Sequence, residues 1–525
     1  MTARSEGAPP PSPPAVSVPG RSHREIRTVF LGLCTAMLLA ALEQTVVATA
    51  LPTIVGELGG LQHLSWVVTA YLLSATVTVP LYGKISDLFG RKKLFLGAIT
   101  VFIVGAAACA MSGSMLQLVL ARGVQGVGAG GIMALSQTII GDVVSPRERG
   151  RYIGYIGAVF GFSSVVGPLV GGFFVEQLHW RWVFVMYIPL GLLAMFVIHR
   201  FLKLPVVRRR QKVDFLGATL LISGVGALLL VATWGGEQYP WRSPQILGLS
   251  AFAAVALAVF AVVERRVTDP ILPFSLLTDR VVGAAVAVSF VVGACLFGVI
   301  IYLPTFLQVV TGVSPTESGL LIVPLMAGFL LTSTTSGRLI TRWGRYKVYP
   351  IVGTATLTVG LGLMATVGAG TPPSLVMTFG FVIGFGIGAV MQVMVMVVQN
   401  AVPFEHLGTA TSATQFFRQI GGTFGVTVFG ALINAQLGAR MATMSVPDDV
   451  DPATLLNSPA EIAALDASVR GPLQHAIADS ISSVFAVAFP LGILAFALTW
   501  LIKEVPLRTT VGDNPSAQEG RPQRS

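Results

Sequence analysis

The sequence predicts an all-α membrane protein of about fourteen spans, in which two six-helix bundles are separated by two further helices. The first observation behind this prediction is composition, since 53% of the 525 residues are hydrophobic and only 11% are charged. Soluble domains carry about 25% charged residues. The second observation is that the apolar runs are continuous over about 20 residues, the length of a spanning helix. They do not alternate with the period of two that a membrane β-barrel requires.

Fourteen runs of this kind follow one another along the chain. They cover residues 28–51, 64–82, 94–113, 116–140, 152–174, 182–202, 214–233, 245–263, 282–305, 318–338, 348–368, 374–398, 408–434 and 480–502. The polar segments at either end, residues 1–26 and 506–525, are predicted to be disordered tails, because they hold too few apolar residues to form a core.

The Lys and Arg residues are concentrated in every second segment that connects these runs. With the N-terminus inside, the inside segments contain 28 of the 34 Lys and Arg residues, as expected from the enrichment of these residues in cytoplasmic loops. We therefore expect both termini in the cytoplasm and residues 436–478 outside. The net charge of +10 follows from this topology and not from a basic face for nucleic acid. Arginine outnumbers lysine and alanine is abundant, which favours the plasma (inner) membrane of a GC-rich bacterium.

An internal repeat divides the chain. Gly83-Lys-Ile-Ser-Asp-Leu-Phe-Gly-Arg-Lys-Lys93 aligns with Gly337-Arg-Leu-Ile-Thr-Arg-Trp-Gly-Arg-Tyr-Lys347 at an offset of 254 residues, and a weaker echo pairs 146–150 with 403–408. This offset is longer than six helices require, and the excess corresponds to the two apolar runs at 214–233 and 245–263. The predicted division is therefore a first bundle over 27–203, two linker helices over 213–266 and a second bundle over 281–505.

The first copy of the repeat has the residues of a switchable helix junction. Gly83 and Gly90 permit tight turns, and Asp87 can cap a helix start or bind Arg91. An ordinary positive-inside loop is the alternative.

Four further stretches accompany this segment: residues 42–52 (Leu-Glu-Gln-Thr-Val-Val-Ala-Thr-Ala-Leu-Pro), 122–129, 154–172 and 180–191. Together they resemble the major facilitator superfamily, and within it the fourteen-span drug:proton antiporter branch. The resemblance implies the major facilitator fold, a transporter and not an enzyme, no cofactor, and proton-coupled multidrug efflux of lipophilic, cationic or weakly basic drugs, as in antibiotic resistance. It also implies that the conformational switch comprises Gly83, Asp87, Gly90, Arg91, Gly167, Pro168 and Gly171.

The chain departs from the family pattern at four positions. Glu43 stands in place of the usual aspartate and keeps the charge on a longer arm. Leu88 replaces a frequent arginine and Ser163 a frequent glycine. Tyr187 stands where the branch often has asparagine, so the resemblance carries no substrate prediction for the sixth helix.

Glu43 is the acidic residue that the span pattern places deep in the membrane. A carboxylate there is costly, so such residues are usually paired, protonated or functional. Desolvation favours its neutral form and a nearby cation its charged form, so its proton occupancy can differ between conformations. The resemblance gives Arg122 a part in proton handling, and Arg418 is the other deep cation. We expect these three residues to couple transport to protons; a static ion pair of Glu43 with either arginine is the alternative.

Polar and flexible side chains on several predicted helices are candidates to line a substrate cavity, because methionine and aromatic groups adapt to varied apolar ligands. The candidates are Gln125, Tyr187, Met391, Gln392, Met394 and Phe417. Core packing is the alternative for the methionines and for Phe417.

The chain contains no phosphate-binding loop of the Gly-x-x-x-x-Gly-Lys-Ser/Thr type. We therefore expect ion or substrate gradients to drive transport, with membrane lipids, protons and a small lipophilic substrate as partners, and neither ATP nor nucleic acid. The sequence leaves open whether an accessory partner in the cell envelope exists. Two alternative functions remain: a dedicated exporter of a self-made metabolite or lipid, and a non-transporting membrane sensor or scaffold.

Cysteine labelling tests the predicted topology. In a chain whose three native cysteines are replaced by serine, Ser445→Cys is expected to react with an impermeant thiol reagent in intact cells, because residues 436–478 are predicted to lie outside. A cysteine placed within 204–212 is expected to react only after permeabilisation. The reverse pattern would contradict the whole topology.

Overall fold

The structure is a computed structural model that describes residues 23–58, 64–144, 146–202, 214–236, 238–267, 269–313, 315–441 and 467–507. These ranges contain seventeen α-helices and, as the only strand-like pairing, one isolated bridge between Gly235 and Tyr239. The helices are α1 (His23–Leu58), α2 (Leu64–Phe89), α3 (Arg91–Ala110), α4 (Met115–Val143), α5 (Pro146–Gln177), α6 (Trp182–Val185), α7 (Tyr187–Phe201), α8 (Phe215–Trp234), α9 (Pro244–Glu264), α10 (Phe274–Thr278), α11 (Arg280–Val310), α12 (Pro315–Leu321), α13 (Val323–Trp343), α14 (Val348–Met364), α15 (Pro373–Ala401), α16 (Leu407–Met441) and α17 (Ala467–Trp500).

Every predicted apolar run falls on described helices, which confirms the all-α membrane class. Within the described ranges, 12 helices are long and apolar enough to cross a membrane. Two further helices coincide with predicted runs: α14, which has 17 residues, and α5, whose first turns carry several charged residues.

The helix ends differ from the predicted runs at two places. The run at 182–202 is divided into α6 and α7, because the helix is interrupted at Met186. The last helix, α17, begins at Ala467 and α16 extends to Met441, so the predicted outer loop 436–478 is shorter than expected. Its central part, residues 442–466, lies outside the described residues, as do most of the two predicted tails.

Apolar side chains of the described residues form three clusters. One large cluster joins α1–α5 to α6 and α7, and the other joins the helices from α11 to α17. A smaller cluster packs α8 and α9 against α2 and α16. In addition, Trp66 of α2 packs edge-to-face against Trp234 of α8, with ring centroids 4.7 Å apart. The linker helices therefore lie along one side of the junction between the two bundles, while the exact domain boundaries stay a prediction.

The two bundles touch most closely at the ends that the charge pattern places inside. A Cβ atom on Gly337 of α13 would overlap the carbonyl oxygen of Gly150 on α5. A Cβ atom on Gly83 of α2 would overlap the hydroxyl of Ser412 on α16. Helix backbones approach this closely only where side chains are absent, so these glycines allow the inner ends of the bundles to close on each other.

A single methyl group at Gly337 tests the importance of this closure. Gly337→Ala is expected to separate the inner ends of α5 and α13, because its Cβ collides with backbone that cannot yield. Gly97→Ala on α3 is the control, since a Cβ there meets nothing within 4 Å. In a chain whose native cysteines are replaced, spin labels are attached to cysteines introduced at Lys93 and Arg345. Pulsed electron–electron double resonance should report a longer mean distance between these labels for Gly337→Ala only. Equal distances in both variants would show that the glycine contact does not hold the closed state.

Candidate functional site

A buried ion pair lies in the first bundle. Glu43 of α1 is fully buried and Arg122 of α4 is 2% exposed, and the Arg122 Nη1 atom pairs with the Glu43 Oε1 atom. Arg122 also donates from Nε to the Val67 carbonyl at 3.1 Å and from Nη1 to Gln125 Oε1 at 2.9 Å. Its guanidinium carbon lies 4.3 Å from the centroid of the Tyr71 ring. The arginine is therefore held by four partners on three helices.

The glycine-rich middle of α4 allows α2 and α3 to pack closely against it. A Cβ atom on Gly126 would overlap the carbonyl oxygen of Tyr71 on α2, and one on Gly128 would overlap the backbone of Phe102 on α3. Because both neighbours are backbone atoms, neither glycine can be replaced without moving a helix. The stretch 123–131 thus fixes the position of α4 relative to α2 and α3, and with it the position of Arg122.

The structure settles which arginine pairs with Glu43. Arg122 is the partner, and within the described residues Arg418 makes no ion pair. The second carboxylate oxygen, Glu43 Oε2, accepts no hydrogen bond from the described part of the chain.

Two predicted cavity residues surround this ion pair. Gln125 and Tyr187 are fully buried in the core of the first bundle, and the Tyr187 ring packs edge-on against Phe102 at 5.8 Å. The Tyr187 hydroxyl makes no hydrogen bond to the described residues. The structure therefore brings Gln125 and Tyr187 together with Glu43 and Arg122.

The repeated segment forms a buried charge network. Arg91 donates from Nε to Asp142 Oδ2 at 2.9 Å and from Nη1 to Ser86 at 2.7 Å, and it also pairs with Asp87. The junction is a one-residue turn with a buried arginine, because α2 ends at Phe89, α3 begins at Arg91, and Arg91 is 8% exposed. Gly90, at φ 93°, makes the turn alone, since this conformation is unfavourable for residues with a Cβ atom.

Asp87 joins this network to the second bundle. Its carboxylate accepts hydrogen bonds from the Gly408 amide at 3.2 Å, the Thr409 amide at 2.9 Å and the Thr409 hydroxyl at 2.8 Å. These amides belong to the first turn of α16, where helical N–H groups lack intrahelical acceptors and the helix dipole favours an anion. Asp87 thus caps α16 and binds Arg91, so both roles predicted for it are realised.

Arg149 makes a second crossing between the bundles. It donates to the carbonyls of Val144, at 2.8 Å, and of Gly141, and its Nη1 donates to Gln399 Oε1 on α15 at 3.2 Å. The Gln399 amide in turn donates to the Gln137 carbonyl of α4 at 3.2 Å. We call the contacts of Asp87, Arg91, Asp142, Arg149 and Gln399 the inner latch.

Sequence reasoning missed three members of the inner latch: Asp142, Arg149 and Gln399. The echo of residues 146–150 in 403–408 was a usable signal, since Arg149 lies in the first segment and Gly408 ends the second.

The fifth-helix motif packs against α1 beside the ion pair. A Cβ on Gly167 would overlap the Thr45 hydroxyl, and one on Gly171 would overlap the Thr49 hydroxyl. The Thr45 hydroxyl donates to the Ser163 carbonyl at 3.1 Å. The described residues do not include the side chain of Pro168. Thr45 is two residues from Glu43, so α5 is in direct contact with the segment that carries the buried carboxylate.

The other predicted cavity residues lie on α15 and α16. Met394 is fully buried and Met391 nearly so, which favours the core-packing alternative for both. Gln392 lines a small cavity, of about 10 Å³, between α4, α5 and α15. Phe417 is half-buried and packs against Phe416 with ring centroids 5.5 Å apart.

The outer end of α1 is fastened to α6, which explains the motif at 180–191. Trp180 Nε1 donates to Glu57 Oε2 at 2.7 Å, and Arg181 donates to Glu57 Oε1 and to the Ser112 carbonyl, each at 3.1 Å. Burial opposes the charged carboxylate, but the hydrogen bond from Trp180 and the positive charges of His179 and Arg181 outweigh it and lower the pKa of Glu57.

Comparison with known proteins shows what this chain is similar to. A family model described as the Major Facilitator Superfamily matches residues 33–426. The MFS-type transporter Rv1877 of Mycobacterium tuberculosis is 39% identical over 521 residues, which cover 98% of this chain and 75% of that protein. The multidrug transporter protein MdtP of Bacillus subtilis is 36% identical over 461 residues, covering 88% and 84%. The proton:xylose symporter XylE superposes with a TM-score of 0.62 at 15% identity, over 93% of this chain and 98% of XylE, which shows a shared fold.

The inner latch can be tested with the two copies of the repeat. Arg91→Ala removes the partner of Asp87 and Asp142, so the inner closed state should lose stability and transport should fall about tenfold, since a hydrogen bond to a charged group contributes about 1.5–3 kcal/mol. Arg345→Ala, at the aligned and exposed position of the second copy, is the control and should transport normally. Efflux rates at matched expression are the measurement. Normal transport by Arg91→Ala would show that the segment acts only as a topology signal.

Proposed function

The chain belongs to the Major Facilitator Superfamily, and from this premise we propose that it is a proton-coupled antiporter that exports lipophilic compounds across a bacterial plasma membrane by alternating access. It is a multi-pass membrane transporter and not an enzyme. The proton coupling, the direction, the cytoplasmic position of both termini and the breadth of substrates are the proposed parts. The similar MdtP is a multidrug transporter, which supports export of several compounds.

The observation that carries the proposal is the buried pair of Glu43 and Arg122. Two charges taken out of water are stable only when their mutual attraction and further hydrogen bonds offset the desolvation cost. A proton on Glu43 removes that attraction, while Arg122 keeps the Val67 carbonyl, the Gln125 amide oxygen and the Tyr71 ring. The pair therefore has two protonation states in which the arginine remains held and only the position of α1 need change.

A contiguous set of contacts links this pair to the inner closure. Thr45, two residues along α1 from Glu43, binds the Ser163 carbonyl of α5. The same α5 helix reaches Gly337 of α13 through Gly150 at its inner end. We propose that displacement of α1 on protonation tilts α5 and thereby loosens its contact with the second bundle.

The inner latch determines the order of steps. While Asp87 caps α16 and Arg149 binds Gln399, the inner ends of the bundles are joined, so substrate leaves and a proton arrives from the outer side. Opening toward the cytoplasm requires these bonds to break. One elementary charge moving across 100 mV yields about 2.3 kcal/mol, which sustains roughly a fortyfold gradient of substrate at about 1.4 kcal/mol per tenfold.

The test of the proposal is Glu43→Gln, which keeps the size of the side chain but cannot change its charge. It should abolish gradient-driven export while substrate still binds, and Glu43→Asp should retain activity because it keeps a carboxylate. Glu176→Gln, at the exposed outer end of α5, is the control and should leave export unchanged. The measurement is uptake of rhodamine 123 and of fluorescein into inverted vesicles, with and without a protonophore, at matched protein levels.

Three results would argue against this coupling. Protonophore-sensitive export by Glu43→Gln at the parental rate would place the proton on another group. Export by the parent that ignores the protonophore would exclude antiport. A purely structural ion pair instead predicts that Glu43→Gln loses about 3–5 kcal/mol of stability, because Arg122 is left without a counter-charge.

A further inference from the structure

Arg418 is a buried cation to which the described residues give no counter-ion. It lies in α16, about 18 Å along the helix from His406, and is 7% exposed. Its Nη1 atom donates to no group in the described part of the chain, and no carboxylate there lies within ion-pairing distance of it. A guanidinium stays charged in proteins, so this site holds a full positive charge that no described residue neutralises.

Gln415, one turn before Arg418, faces the first bundle, because it donates to the Met133 carbonyl of α4 at 3.3 Å. Thr411, two turns before Arg418, accepts a hydrogen bond from Gln399 of α15 at 3.0 Å. Residues at this spacing share one side of a helix. We therefore place Arg418 beside the junction between the bundles, one turn further from the inner end than the contact with α4.

The other buried charges cannot compensate Arg418. Glu43 is committed to Arg122, and Asp142 to Arg91. Glu264, the third buried acid, ends α9 and binds the Leu272 amide. An unpaired charge in the membrane interior is expensive, so the electrostatic field at the junction favours an anion and opposes a cation.

Helix α11 packs against α16 around Arg418, and the residues that flank the arginine are mostly glycine and phenylalanine. Gly293 of α11 lies against the Arg418 backbone and Cγ, Gly421 against the Phe290 backbone, and Gly422 against the Phe297 ring. Phe417, the preceding residue of α16, is half-buried. A ligand that fits this combination has an aromatic or aliphatic body and one acidic group with oxygen acceptors for the guanidinium fork.

We propose that Arg418 binds the acidic group of the exported compound, and that the substrates are lipophilic anions bearing a carboxylate, sulfonate or phenolate. This inference rests on the proposed export function and replaces, as the favoured substrate class, the cationic or weakly basic drugs that the family resemblance implies. Arg418 is then a substrate-binding residue, and the coupling proton is handled by Glu43 and Arg122.

Two dyes with one xanthene framework and opposite charge test the assignment. Fluorescein is anionic at pH 7.5 and rhodamine 123 is cationic. Fluorescence polarisation with the purified full chain in detergent should show that fluorescein binds at least tenfold more tightly than rhodamine 123. Arg418→Gln should weaken fluorescein binding by tenfold or more, and Arg418→Lys should recover part of it. Arg440→Gln, which removes a partly exposed charge near the outer end of the same helix, should change neither affinity.

Stability separates binding from a structural role. Loss of an uncompensated buried charge should leave the melting temperature of Arg418→Gln equal to or above that of the parent, whereas a structural arginine would lower it. Absence of fluorescein binding by the parent, equal fluorescein affinities of parent and Arg418→Gln, or tighter binding of rhodamine 123 would each overturn the proposal. The binding assay needs no gradient. Protonophore-insensitive transport would therefore contradict the proposed proton coupling without affecting the proposed anion site.

Discussion

A charge in the interior of a membrane protein is tolerated only when something nearby offsets its lost hydration, and the described structure is arranged around that requirement. The described residues meet this cost in two ways and leave it unmet at a third position. Glu43 and Arg122 neutralise each other within the first bundle. Asp87 is satisfied by an arginine and by the amides of a helix in the other bundle. Arg418 is offset by no group that the structure describes, which makes it the position where a ligand has the most to contribute.

The close approach of helices makes these pairings possible. Side chains of four or five bonds reach each other only when the backbones are near, and the glycines of α4 and α5 remove the Cβ atoms that would hold them apart. At their inner ends the two bundles are joined by the polar bonds of the inner latch. Such bonds can be broken and reformed as the bundles separate.

The two copies of the repeat have taken different tasks. The first copy carries Asp87, which caps α16 across the junction. The second has Thr341 at the aligned position, and it is tied within its own bundle: the Tyr346 hydroxyl donates to the Lys503 carbonyl at 3.3 Å and accepts from the Val505 amide at 2.8 Å. Asp87 thus bonds the first copy across the junction, whereas the Tyr346 bonds of the second copy stay within one bundle. Opening the inner face breaks the first set of bonds and preserves the second.

The sequence by itself determined the all-α membrane class, the positions of the spans, the repeat and the identity of the deep charges, because run length and charge placement are local properties of a chain crossing a bilayer. It singled out Glu43, Arg122 and Asp87, yet left open whether Arg122 or Arg418 pairs with Glu43. Only the tertiary structure decided that, and only it placed Asp142, Arg149 and Gln399 in the inner latch. These pairings join residues 51 to 250 positions apart and depend on which helices are neighbours and how each is rotated. A run of apolar residues carries no record of that rotation, because nearly every face of a buried membrane helix is equally apolar.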